Sequence, residues 1–175
     1  YPSGMERVLT LKANYLARHY GHEVHIVLTD GAEREPYYPL DPAVRVHNLH
    51  LDFDAMYGMA LHRKIIYYLR RQRRFRPLLD RYLNEIRPDV TVSLLRRDIN
   101  LLDRMTDGSV KMGELHFSRY DYRDSTNLRL PRWIQRIVAG FWQGQLLRKL
   151  RRLSRFVVLS HEDADLWAPD LDNVR

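Results

Sequence analysis

Five short runs rich in β-branched and apolar residues punctuate the chain: Glu23–Thr29, Val44–Leu51, Val90–Leu94, Val110–His116 and Phe156–Ser160. Glu23–Thr29 reads Glu-Val-His-Ile-Val-Leu-Thr. Near-continuous apolar character of this kind belongs to strands covered on both faces, as in parallel sheets. Helical sequence separates most of the runs. From Met5, the positions Met5, Val8, Leu9, Ala13, Leu16, Ala17 and Tyr20 recur at spacings of mainly three and four, and Gly21 follows where a helix-ending glycine belongs. Ala60–Ile86 repeats the pattern at greater length, with Pro77 expected to kink or divide it. Pro131 suits a helix first turn, and Trp133, Ile134, Ile137, Val138, Phe141, Leu147 and Leu150 run on from it.

The order helix, strand, strand, helix, strand, short helix, strand, helix, strand, helix predicts an α/β fold. Its expected form is a doubly wound, mostly parallel sheet with helices on both faces. Such a sheet ordinarily opens on a strand that feeds a glycine turn into the first helix. Ser3-Gly4 reads as the tail of that turn, with the first strand missing.

A chain of 175 residues, 45% hydrophobic, is expected to form one domain with its own core. The most apolar stretch, Trp133–Leu153, is broken by Arg136, Gln143, Gln145, Arg148 and Lys149, so no membrane-spanning helix is expected. The absence of cysteine excludes disulfides and thiolate metal sites and fits a reducing compartment, so a cytoplasmic location is expected. The net charge of +7 comes from arginine in blocks: Arg70, Arg71, Arg73, Arg74 and Arg76, then Arg148, Lys149, Arg151, Arg152 and Arg155. Blocks of this kind favour nucleic acid, an acidic membrane surface or a phosphorylated substrate, and are equally read as solvated helix faces.

In an open parallel sheet, ligands bind at the carboxyl ends of the strands, which narrows the search for chemistry. Glu114 and His116 stand two apart at the end of one strand and therefore project from the same side. A carboxylate and an imidazole so placed can bind sugar hydroxyls, orient each other or move a proton; His116 equally suits a strand cap. Arg96, Arg97 and Asp98 follow Val90–Leu94, where an arginine fork can hold a phosphate or simply be solvated. The Ser3-Gly4 turn would aim backbone N–H groups at a phosphate oxygen, or be an ordinary turn. Ser160, Glu162 and Asp163 read as a helix N-cap. His47 and His50 point to opposite faces of a strand with no carboxylate cluster beside them, so no metal site is expected. No Gly-x-Ser-x-Gly elbow, Walker loop or complete Gly-x-Gly-x-x-Gly occurs, leaving hydrolase, P-loop and nicotinamide readings without support.

Ser3-Gly-Met-Glu-Arg-Val8, Ala17-Arg-His-Tyr-Gly-His-Glu-Val24, Pro88-Asp-Val-Thr-Val-Ser93, Gly113-Glu-Leu-His-Phe-Ser118 and Val157-Val-Leu-Ser-His-Glu-Asp-Ala164 together resemble family four of the retaining glycosyltransferases. The resemblance covers essentially the whole chain. It implies a GT-B enzyme in which residues 1–175 are the N-terminal, acceptor-side Rossmann-like domain. A C-terminal domain, absent from this sequence with its Glu-x7-Glu motif, would bind the nucleotide-diphosphate sugar as co-substrate, with no metal and no other cofactor. Carried over by position, Gly4 matches the glycine turn near the donor diphosphate, and Ser3 replaces the first glycine of the family's pair. His116 matches the histidine that faces the donor sugar, with Glu114 beside it as a sugar or acceptor contact. The implied reaction is transfer with retention to a glycan or lipid-linked acceptor, in lipopolysaccharide or other polysaccharide synthesis. The leaving phosphate would take the acceptor proton while His116 positions. The same resemblance suggests a peripheral place on the inner face of the cell membrane, with the arginine blocks and Trp133, Phe141 and Trp142 on anionic lipid; core packing is the other reading of those aromatics. No nucleic-acid partner is expected of the enzyme. The competing reading is a non-enzymatic basic module for nucleic acid or anionic membrane.

Overall fold

The computed structural model describes residues 4–31, 35–116, 140 and 143–175. The chain divides into two compact units, Tyr1–Arg81 and Tyr82–Arg175.

In the first unit, α1 spans Gly4–Tyr20 and buries Ala13 and Ala17, one helical turn apart, on the cluster formed with Ile26 and Val44. Two small side chains on one face let this helix lie close to its sheet. Gly21 takes φ +65°, and the His22 N–H reaches back to the Leu16 carbonyl at 3.2 Å, closing the helix end as the glycine predicts. Strands β1 (His25–Leu28) and β2 (Arg45–Asn48) pair in parallel, with His25 opposite Arg45 and Leu28 opposite Asn48. Neither is fully covered on both faces as expected: Ile26 is the one buried residue of the two strands, and Val46 is 45% exposed. A sheet of two strands gives each only one partner and too little width for two complete helical layers.

Helix α2 spans Leu61–Ile86 without interruption, so Pro77 does not divide it. Arg73, whose carbonyl loses its helical partner to the proline, and Pro77 itself are both exposed, so water can take that carbonyl's bond. Phe75, Leu79 and Leu83 are buried at helical spacing on another face and hold the rod together. The ring of fully buried Phe53, in a single 3-10 turn (Phe53–Met56), lies 6.1 Å from that of Phe75 and 5.9 Å from that of Tyr68.

In the second unit, β3 (Val90–Ser93), β4 (Val110–Glu114) and β5 (Arg155–Val157) form a parallel sheet in the order β3-β4-β5. The five described strands therefore make two separate sheets rather than one. The short helix expected between β3 and β4 is instead a pair of single 3-10 turns, Asp98–Asn100 and Leu102–Arg104, which place Ile99 and Leu102 in the core. Residues 143–150 form helix α3, which buries Leu146 and Leu150 in the same core. Helix α4 (His161–Trp167) starts on Ser160, whose Oγ accepts from the Asp163 N–H at 3.1 Å, so that motif is an N-cap.

Gly113 is the fourth of the five residues of β4, paired with Ser93 on one side and Phe156 on the other. A Cβ there would stand 2.6 Å from Leu153 Cδ1 and 2.8 Å from Leu95 Cδ2. Both leucines are buried, so the contacts can relax only by shifting packed side chains. Gly113→Ala is expected to destabilise the unit by about 1–3 kcal/mol, read as a lower urea midpoint at unchanged slope. An alanine variant as stable as the parent would show that the core above β4 is loose.

Candidate functional site

The parallel register of the second unit brings the ends of β3 and β4 together, since Ser93 is paired with Gly113 and Glu114 follows directly. Beyond the last residue of β4, the Leu115 N–H still bonds the Val157 carbonyl at 2.9 Å, which keeps the chain extended for one more step. Leu115 therefore turns into the core, 1% exposed, while Glu114 and His116 share the other side. His116 Nε2 lies 3.2 Å from Glu114 Oε1, with the two side chains 6% and 11% exposed. An enclosed carboxylate is costly unless paired, and the imidazole is one of its partners here. The arrangement can hold the ring in one orientation, bind a hydroxyl or stabilise a developing positive charge on the ring.

The turn after β3 is built around Ser93, 2% exposed, which sequence reasoning had not singled out. Its Oγ accepts from the Leu95 N–H at 2.9 Å, and Leu95 takes φ 53°, a left-handed conformation uncommon for leucine. The Asp98 Oδ1 accepts from the Arg96 N–H at 3.1 Å. Arg96 is exposed and Arg97 half-buried in this turn, where the sequence placed them. Burial pushes the Asp98 carboxyl above the usual carboxylate range, against the opposing pull of the Ser93 hydroxyl and the backbone N–H groups of Asp98, Arg96 and Ile99. A folded pKa raised above the unfolded one means that the folded state binds the proton more tightly. Its contribution is full below the unfolded value, near 3.9, and is lost as pH rises through the folded pKa. Asp98→Asn keeps an acceptor for the Arg96 N–H and is expected to flatten the fall in stability with rising pH across that window, as measured by urea unfolding. An unchanged pH slope would show that Asp98 is not its source.

The first unit has its own cleft at the carboxyl end of β1, about 440 Å³ in volume. Glu6, Thr10, Asp30, Tyr37, Tyr38 and Asp54 are among its lining residues, and among the described residues no lysine or arginine lines it. Asp30 accepts from the Thr29 hydroxyl at 2.6 Å and from the Asp54 N–H at 2.9 Å, which fixes its carboxylate. Carboxylates beside tyrosine rings suit the hydroxyls and C–H faces of a sugar. The sequence signal was Thr29-Asp30-Gly31 closing β1, a position the strand-end criterion selects but that carried no motif. Gly4 is the first helical residue of α1, exposed and with open space around it. Ser3, Trp133, Phe141 and Trp142 lie outside the described residues.

The second arginine block is largely occupied within its own unit. Lys149 bonds the Asn100 side chain, Arg151 donates twice to the Asp170 carbonyl at 3.1 Å, and Arg152 pairs with Asp103. In the first block Arg71 lies over the Tyr67 ring at 4.7 Å and donates to its hydroxyl at 2.8 Å, whereas Arg70, Arg73, Arg74 and Arg76 are exposed. Among the described residues no group of three or more His, Asp or Glu side chains is placed to hold a metal ion, and no helix is long and apolar enough to cross a membrane. No protein-family model matches the chain, and no curated protein matches it.

Proposed function

We propose that this chain is the acceptor-side, Rossmann-like domain of a retaining GT-B glycosyltransferase. A partner domain of the same enzyme would bring a nucleotide-diphosphate sugar to it. The observation that carries the reading is the Glu114–His116 pair, 3.2 Å apart at the carboxyl end of the central strand of a parallel sheet, where ligands of open α/β sheets bind. Its sequence context, Gly113-Glu-Leu-His116, is the one most specific to the resemblance with family four. The cleft at the end of β1, lined by carboxylates and tyrosines, supports a glycan or the glycan portion of a lipid-linked molecule as acceptor. In this reading the leaving diphosphate takes the acceptor proton. His116, held by Glu114, positions the donor sugar, and Gly4, Ser3, Arg96 and Arg97 contribute phosphate or acceptor contacts.

The test is sugar transfer by the complete gene product from a panel of nucleotide-diphosphate sugars, with the product's anomeric configuration read by NMR. Transfer with retention is expected. Failure to consume any donor, together with tight and steeply salt-dependent binding of nucleic acid, would favour the basic binding module instead.

A further inference from the structure

The chain carries a net charge of +7, yet four carboxylates, Glu6, Asp30, Glu35 and Asp54, line the cleft at the carboxyl end of β1. Among the described residues no lysine or arginine lines it, whereas elsewhere in the same unit Asp41 pairs with Arg18 and Glu23 with Arg45. Carboxylates grouped around one space repel one another, and a cation placed among them relieves that repulsion. On a flat surface they would simply be solvated. Here they surround about 440 Å³, within the range of small-molecule pockets, about 300–1,000 Å³. The rest of the lining is largely apolar or aromatic. It includes Ile26 and Leu28, two apart on β1, and Val46, which is paired with Ile26 on β2 and is 45% exposed. Tyr37, 71% exposed, meets Tyr38 edge to face with ring centroids 5.0 Å apart. The cleft therefore offers apolar surface and negative charge together.

We infer that the acceptor seated in this cleft is an amino sugar, a glycan unit that carries a protonated amine. Its role as acceptor rests on the transferase reading above, and its positive charge on the cleft alone. The ammonium group has three donors for the carboxylate oxygens, the ring hydroxyls donate to others, and the C–H faces of the sugar lie against the tyrosines and aliphatic side chains. A uronic acid or a phosphorylated sugar would add negative charge to the four carboxylates already there, so the cleft rejects anionic glycans. A linear polyamine would match the carboxylates but has no ring face for the tyrosines. A bare divalent cation would make no use of the apolar lining, and among the described residues no group of three or more His, Asp or Glu is placed to hold one.

Three disaccharides of one linkage separate charge from shape: the β-linked dimer of glucosamine, its N-acetylated form and the matching glucose dimer, cellobiose. Each is titrated by calorimetry into the complete gene product at a pH where the amines are protonated. The glucosamine dimer is expected to bind at least about tenfold more tightly than either neutral sugar, and to lose most of that advantage in about 1 M salt. Asp54→Asn and Glu35→Gln, both at exposed positions, are each expected to weaken it about fivefold. Cellobiose binding and circular dichroism should not change in either variant. Equal binding of the three disaccharides would overturn the inference and leave the acceptor reading standing. Failure of the glucosamine dimer to bind, tighter binding of spermidine or of a glucuronic acid disaccharide, or an affinity unmoved by both substitutions would also overturn it. Selective binding of the glucosamine dimer by a gene product that transfers no sugar would uphold the charge of the ligand and remove the transferase reading.

Discussion

Phe156→Ala is expected to destabilise the second unit by about 3–5 kcal/mol. The ring is fully buried and meets Trp167 edge to face, with centroids 5.3 Å apart and planes at 86°. The surrounding chain is poorly placed to collapse into the space left behind. The Phe156 N–H bonds the Asn173 carbonyl at 2.9 Å, and its own carbonyl accepts from the Arg175 N–H at 2.8 Å. These bonds tie the strand to residues 173–175 on one side while β4 pairs with it on the other, so it stays in place when the side chain is removed, a cavity persists and its cost adds to the lost burial. Against the total stability of a typical domain, about 5–15 kcal/mol, this is enough to leave the variant partly unfolded at room temperature or with a greatly lowered urea midpoint. Phe156→Leu, which refills much of the volume, is expected to lose markedly less. A wild-type midpoint for the alanine variant would mean that Phe156 is not the centre of this core.

His116→Ala, in the complete gene product, is expected to lower sugar transfer at least about a hundredfold while leaving the fold intact. The side chain lies at the end of β4 rather than in the cluster around Phe156, so its removal opens little of the core. What it does remove is the ring that Glu114 holds at 3.2 Å. Glu114→Gln should reproduce part of the loss by releasing the ring. The double variant should transfer no worse than the poorer single one, because the two groups act as a unit. A structural role would instead appear as a lowered melting temperature with per-molecule activity preserved in the folded fraction. Wild-type turnover in His116→Ala would remove the residue from the site.

The positions of most elements were legible because they depend on local chemistry. The Ala13 and Ala17 face, the Gly21 helix end and the Ser160 cap are each set within one or two turns of chain. The same holds for the relation of Glu114 to His116, since two residues along an extended chain return to the same side. The run of apolar residues in Glu23–Thr29 misled on burial, because it records what a strand can cover and not how wide its sheet becomes. Of the two effects expected of Pro77, division does not occur, because a proline removes one hydrogen bond locally while the buried residues Phe75, Leu79 and Leu83 act over several turns. The two basic blocks looked alike as sequence. Their difference arises from Asp103, Asn100 and the Asp170 carbonyl, which come from distant parts of the chain to occupy one of them.

By itself the sequence determined the alternation of helix and strand, the capping chemistry and the pairing of Glu114 with His116 on one side of a strand, all consequences of backbone periodicity. Only the tertiary structure decided that the described strands divide into two sheets, that Gly113 is required by Leu95 and Leu153, and that Glu6, Asp30, Glu35 and Asp54 line one cleft. Those outcomes depend on which residues far apart in the chain come within a few ångströms of one another, and no local pattern encodes that distance.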